Sequence, residues 1–182
     1  MSERIPRLQL EAMPAALAGA LRPRVERLGY LGEFFQCAAN APEVLLEFQR
    51  FTEVLKEALP ARVTELVALT VAARWSNDYE RHQHERLCRR LGYDDAWIRA
   101  VTSLQAGAAA LDETDRAVQA LVLRAIERQG HDVAAELNAV IDALGAPAAM
   151  AVLMSIGRYL THSLVVNALD LAPPVASLFD KV

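Results

Sequence analysis

Between Trp75 and Glu85 the chain reads WSNDYERHQHE, a polar island in an apolar, alanine-rich region. The spacing predicts a helix from Asn77 onward, on which Glu80, His84 and Cys88 recur at intervals of four. They therefore stack on one stripe, drifting by about 40° per step. Just upstream, LPARVTELVALTVAARW is apolar almost all round, through Val63, Leu66, Val67, Ala68, Leu69, Val71 and Ala73. A helix of that kind is buried, and Glu65 interrupts it. A buried carboxylate must find a partner or shift its pKa upward. Two kinds of partner are open: an arginine, Arg62 or Arg89, or the imidazole of His84 across the turn between the helices. In the second case the carboxylate orients the ring and sets its tautomer. Glu65, His84 and Glu80 around a cleft would then form a set equipped for proton transfer.

Plainer readings of the same residues stand beside this one. Asn77 followed three residues later by Glu80 has the spacing of a capping box, and Glu80 can serve the helix start, a contribution of about 1 kcal/mol. His84 can be a satisfied core histidine. His82 and Glu85 are expected to face water with their polar neighbours. Cys88 reads as a small buried hydrophobe. No Ser or Cys sits in an activated position, so a nucleophile triad is not expected. One histidine with two acids is a thin ligand set; neither metal nor other cofactor is expected.

The elements that must position these residues are helices. Nearly every segment has helical spacing, and no run alternates convincingly for a strand. Proline, glycine and capping residues divide the chain into about nine pieces. Pro14 and Pro23 bracket a first short pair, and Gly32 precedes a piece with Phe34 and Phe35. Pro42 opens a helix to Leu59, and Pro60 another to Arg74 or Trp75. The polar helix ends near Gly92. Asp94 and Asp95 start the piece with Trp97, Asp112 or Thr114 caps the next, which ends at Gly130, and Val133–Leu144 and Pro147–Leu169 complete the set. Short loops suit antiparallel neighbours. No second domain and no internal repeat is evident.

A chain of 182 residues, 53% hydrophobic and 23% charged, is that of a globular protein rather than a disordered one. A net charge of −4 without a basic cluster argues against nucleic acid. Cys37 and Cys88, fifty-one positions apart, form no CxxC or zinc pattern and suit a reducing cytosol. The apolar run from Ala12 to Leu21 follows Arg4 and Arg7, but Glu3 and Glu11 spoil the basic region of a signal peptide, and an opening helix is expected. The apolar segment Ala146–Ile156 stops at Arg158, too short to cross a bilayer. The expectation is a cytoplasmic protein without a membrane segment.

The run LPARVTELVALTVAARWSNDYERHQHERLCRRLGYDDAWIRAV resembles the carboxymuconolactone decarboxylase family, which includes the alkylhydroperoxidase D-like (AhpD-like) proteins. The shared pattern is a buried R..EL..L helix, a polar break, a YE...H helix, then a glycine and an acid-rich start. IGRYLTHSLVVNAL resembles the family's last helix, and RIPRLQLEAMPAAL the opening of its longer members. The resemblance implies an all-α, compact helical bundle of the alkylhydroperoxidase D-like type, a single domain over 1–182 with its core motif at 42–104 and its C-terminal helix at 147–169. In the peroxidase branch a glutamate is followed by a CxxC pair and a histidine. That spacing places the glutamate at Glu65, the histidine at His84, and the two cysteines at Asn77 and Glu80. Both thiols are missing, and peroxide reduction needs a thiolate of the kind a helix N-terminus favours. Cys88 lies two turns past the helix start, where the dipole has faded. The decarboxylase branch resembles YEW..H without cysteines; here Tyr79, Glu80 and His84 match, and Arg81 replaces the tryptophan.

The resemblance thus points to an enzyme of decarboxylase-like, lyase type acting on a small carboxylated lactone or keto acid. His84 would be general acid or base, Glu65 would hold it, and Glu80 with Tyr79 and Asn77 would position substrate or water. Arg81 or Arg158 would take a substrate carboxylate. Two other readings compete: a thiol peroxidase, disfavoured by the missing pair, and a non-catalytic helical oligomer that binds a small acid. The family also implies a homo-oligomer (dimer, trimer or hexamer), and helices with more apolar surface than one small domain hides agree with that.

Overall fold

A computed structural model describes residues 5–105 and 107–179. Glu3 and Arg4, used above in weighing a signal peptide, and Ala106, between Ser103 and Asp112, lie outside them. Among the described residues the regular structure is entirely helical: a 3-10 turn, Leu10–Ala12, and nine α-helices. These are α1 (Ala15–Leu28), α2 (Glu33–Ala38), α3 (Pro42–Ala58), α4 (Ala61–Arg74), α5 (Asp78–Arg90), α6 (Asp95–Thr102), α7 (Glu113–Glu127), α8 (Ala134–Leu144) and α9 (Ala146–Ala168). By contacts the chain falls into two compact units, Met1–Val54 and Leu55–Val182.

In the first unit, Leu17, Leu21, Phe34, Phe35 and Leu45 are buried. Phe34 and Phe35 meet edge to face at 5.1 Å, and Arg24 lies over Phe35 at 4.6 Å. Pro23 does not divide the opening segment: α1 runs through it. The residue four positions back, whose carbonyl a proline ring crowds, is Gly19, which is exposed with open space around it.

The second unit is organised around α4, which packs against α5, α6, α7 and α9. Every residue from Val63 to Ala72 is buried, as its all-round apolar pattern requires. Gly92 ends the polar helix with a φ of 86°, a left-handed conformation that glycine adopts without strain. Asp112 caps α7 in a capping box with Asp115. Asp115 also receives Arg62 at 2.6 and 3.0 Å and the Trp97 indole N–H at 2.8 Å. Arg62 is therefore committed away from Glu65, and Arg89 is paired with Asp95 at 2.6 Å.

Helix α9 continues through Arg158 to Ala168, longer than the apolar segment read from sequence. By length and composition it could cross a bilayer, yet 56% of its apolar window is buried inside the protein. The Arg158 guanidinium is buried against the Glu80 carboxylate at 2.9 Å.

Candidate active site

The turn between α4 and α5 sets the site. Ser76 takes a left-handed φ of 51° there. Asn77 is then the N-cap of α5, its Oδ1 accepting the Glu80 backbone N–H at 3.0 Å. Only half of the capping box forms. The Glu80 side chain turns inward, with Oε1 accepting from Arg158 Nη1 at 2.9 Å and Oε2 lying 3.2 Å from His162 Nε2. Capping is thus served by Asn77 alone, and Glu80 is released for the interior.

Glu65, four residues into α4, meets His84 rather than an arginine: Oε2 lies 2.6 Å from His84 Nδ1. The opposite ring nitrogen, Nε2, is 3.5 Å from Glu80 Oε1. A single chain of polar contacts therefore runs Glu65, His84, Glu80, His162, alternating carboxylate and imidazole, with Arg158 alongside. Cys88 closes its inner end, its thiol donating to Glu65 Oε2 at 3.7 Å. Asn77 Nδ2 donates to Ser163 Oγ at 2.9 Å and lies 3.5 Å from His162 Nδ1, joining the cap to the other end. Tyr159 packs edge-on to the His84 ring at 5.7 Å, and Tyr79 lies 5.8 Å from His162.

The electrostatics follow from burial against charge. Burial alone would pull the His84 pKa down, because it penalises the imidazolium. The charge and hydrogen bond of Glu65 outweigh that, with help from Glu80, and raise it to about 9. His84 is therefore cationic at neutral pH. Burial works upward on Glu80, but His162, the hydrogen bond from His84 and Arg158 together hold its carboxyl well below the usual range. Burial beside Glu65 pushes the Cys88 thiol above its ordinary value, the reverse of what a nucleophile needs. Among the cluster's polar side chains His84 is the most accessible, at 13%, against 9% or less for Glu65, Glu80, Arg158 and His162. The cluster is most accessible at the His84 ring.

Of the residues singled out from sequence, Glu65, Glu80, His84 and Asn77 come together. Tyr79 is 2% exposed and lines a separate cavity of about 360 Å³ with Ser76, Asp78, Val166 and Asn167; His84 does not line it. Arg81 lies apart, bonded to Asp78 at 2.7 Å and to Glu85 at 3.2 Å.

His82 and Glu85 correct the expectation that they face water: they are 6% and 0% exposed. The reason is the segment after α9, which lies over this side of α5. Ser177 Oγ–H and the Leu178 N–H donate to Glu85 Oε2 at 2.7 and 3.0 Å, and Arg86 donates to the Ala176 carbonyl at 2.9 Å. His82 Nδ1 is 3.1 Å from the Val175 carbonyl, which can only accept, so Nδ1 carries the proton and Nε2 faces Arg81 at 3.2 Å.

His162 and Ser163 were missed from sequence, and Arg158 was assigned to the substrate rather than to Glu80. A signal existed: Arg158 and His162 are four apart on α9, the same interval as Glu80 and His84 on α5. Two polar pairs at one helical interval can face each other across a helix pair. Among the described residues no group of three or more His, Cys, Asp or Glu is placed to hold a metal ion.

An all-α protein with a buried acid–imidazole chain between three helices is the class these observations define. Residues 42–123, a little under half of the chain, match the Carboxymuconolactone decarboxylase family. The fold is shared with the alkylhydroperoxidase AhpD core of an uncharacterised peroxidase-related protein from Ralstonia eutropha JMP134, at 16% identity and TM-score 0.82, covering 93% of this chain and 91% of that one. A variant of the debrominase Bmp8 in complex with 2,3,4-tribromopyrrole is similar at 16% identity and TM-score 0.79, with 94% and 92% covered. A protein of unknown function from Agrobacterium tumefaciens follows at 16% identity and TM-score 0.68, with 76% and 96% covered. No curated protein matches the chain.

Proposed function

We propose that this protein is a proton-transfer enzyme that decarboxylates a small carboxylated lactone or keto acid, with His84 as general acid. The observation that carries the reading is a partly exposed imidazolium clamped between two buried carboxylates, 2.6 Å from Glu65 and 3.5 Å from Glu80. Loss of CO2 breaks a C–C bond and leaves its electron pair on carbon as an enolate. That carbon needs a proton, and His84 holds one at neutral pH. The Nε2–H is the donor, because its 3.5 Å contact with Glu80 is the looser of the two and can yield to substrate. Glu65 keeps the ring oriented throughout, and the neutral ring regains its proton from water. An anionic substrate suits the site, since the most accessible charged group of the cluster is the His84 imidazolium.

A thiol peroxidase is the weaker reading. Asn77 and Glu80 stand where that chemistry needs its thiols, and the one nearby thiol, Cys88, is 0% exposed and held protonated. At 16% identity the likeness to Bmp8 carries the fold and no debromination.

The test is a screen of small lactones and β-keto acids with the wild type and His84→Ala, beside thermal melts of both. Turnover in the wild type that disappears in a variant with an intact cooperative melt supports the proposal. A variant that keeps its turnover refutes it, and one that loses its cooperative melt shows the cluster to be structural.

A further inference from the structure

His162 is a buried titratable group that the proposed reaction leaves without a role. It is 2% exposed, and its Nε2 lies 3.2 Å from Glu80 Oε2. The Glu80 carboxyl is held well below the usual range and is therefore ionised. An ionised carboxylate only accepts, so His162 Nε2 carries a proton. The other ring nitrogen, Nδ1, decides whether the ring is neutral or charged.

Asn77 faces Nδ1, and the fold fixes which way its amide points. As the N-cap of α5 it turns Oδ1 to the Glu80 backbone N–H at 3.0 Å. Nδ2 then points to Ser163 Oγ at 2.9 Å and to His162 Nδ1 at 3.5 Å. The amide nitrogen has two hydrogens and accepts nothing. One hydrogen serves Ser163, and the second faces Nδ1, which can receive it only as a bare nitrogen. A protonated Nδ1 would set two N–H groups against each other between residues that are 1% and 2% exposed.

The sum of charges agrees. Three helices bring charged and titratable groups to this place: α5 brings Glu80, His84 and Tyr79, α9 brings Arg158, and α4 brings Glu65 behind His84. Glu65 and Glu80 are negative, His84 and Arg158 positive, so the buried set is neutral when His162 is neutral. A charge on His162 would hold the Glu80 carboxyl down further. It would also leave one uncompensated positive charge in the interior, where burial already disfavours an imidazolium.

We propose that Asn77 is a positioning residue that holds His162 as a neutral imidazole protonated at Nε2, so that the two histidines flanking Glu80 differ in charge. The chain of proton-carrying groups then ends at His162, because beyond Nδ1 lies an amide that neither gives nor takes a proton. A proton lost from His84 cannot be replaced through Glu80, since that would leave His162 an imidazolate; it returns from solvent at the His84 ring. This last step rests on His84 being the acid of the reaction proposed above, and the protonation state of His162 does not.

Ring-nitrogen NMR shifts of the full chain test the assignment, with His162 assigned through His162→Gln. In the wild type at about pH 6, where an ordinary histidine is mostly charged, His162 should show a protonated Nε2 and a bare Nδ1. Asn77→Asp keeps a good N-cap and sets a carboxylate against Nδ1. An opposite charge at that range raises a histidine by roughly one to three pKa units, so His162 should become doubly protonated, in a variant whose cooperative melt shows it folded. Two protons on wild-type His162, a proton on Nδ1 alone, or a neutral ring in folded Asn77→Asp overturns the proposal; should Asn77→Asp not fold, the wild-type spectrum decides. No turnover enters these readouts. A failed substrate screen leaves the assignment standing, and a charged His162 leaves the decarboxylation reading standing.

Discussion

Replacing Glu65 by Gln keeps the size of the side chain and an oxygen to accept from His84, and removes one negative charge 2.6 Å from the ring. His84 is raised from 6.5 to about 9 in the folded protein, after burial has pulled the other way and Glu65 has outweighed it. At 1.36 kcal/mol for each pKa unit, this favours the imidazolium by about 3 kcal/mol. Below pH 6.5 the folded and unfolded chains both hold the proton and the full contribution is present. Between pH 6.5 and about 9 only the folded chain holds it, so stability falls as pH rises, and above about 9 the contribution is gone. An opposite charge within 4–6 Å is worth roughly one to three pKa units. Glu65→Gln should therefore lower the His84 pKa by about that much and flatten the decline of stability between pH 6.5 and 9. The assay is imidazole NMR titration of wild type and variant, with His84 assigned through His84→Asn, beside denaturant melts at pH 6 and pH 9. A wild-type His84 that titrates at or below 6.5 refutes the reasoning, as does a midpoint unmoved by Glu65→Gln.

Glu80→Ala should destabilise by about 3–5 kcal/mol, because it removes a buried carboxylate that lies 2.9 Å from the Arg158 guanidinium and 3.2 Å from His162; denaturant melts at pH 7 measure this. The wild type should lose that advantage in acid, as Glu80 protonates below the usual carboxylate range, so the two melts should converge at low pH. Cys88→Ser should leave turnover unchanged in the lactone and keto-acid screen, and a large loss would revive the thiol reading. Glu85→Ala should release the segment after α9 by removing the acceptor of Ser177 and Leu178, read as faster amide exchange at Ser177 to Phe179. Unchanged exchange would show that packing, not Glu85, holds the segment.

Periodicity and punctuation gave most of the helices, though Pro23 proved to be no boundary, and showed which helix is central. The all-round apolar pattern of residues 63–73 could belong only to a helix buried on every side, and α4 is that helix. The same logic required a partner for Glu65 and left Arg62, Arg89 and His84 open; the structure brings His84, 19 positions on, to it. What lay beyond its reach depended on contacts between distant positions. Glu80 has two equally good uses at its place in α5, capping the helix or pairing inward, and the choice fell to Arg158 and His162, 78 and 82 positions later. His82 and Glu85 look like solvent residues until Val175–Leu178 covers them. Helical spacing states which side chains share a face; only tertiary packing decides what that face meets, and for a charged group the partner it meets sets its protonation and therefore its chemistry.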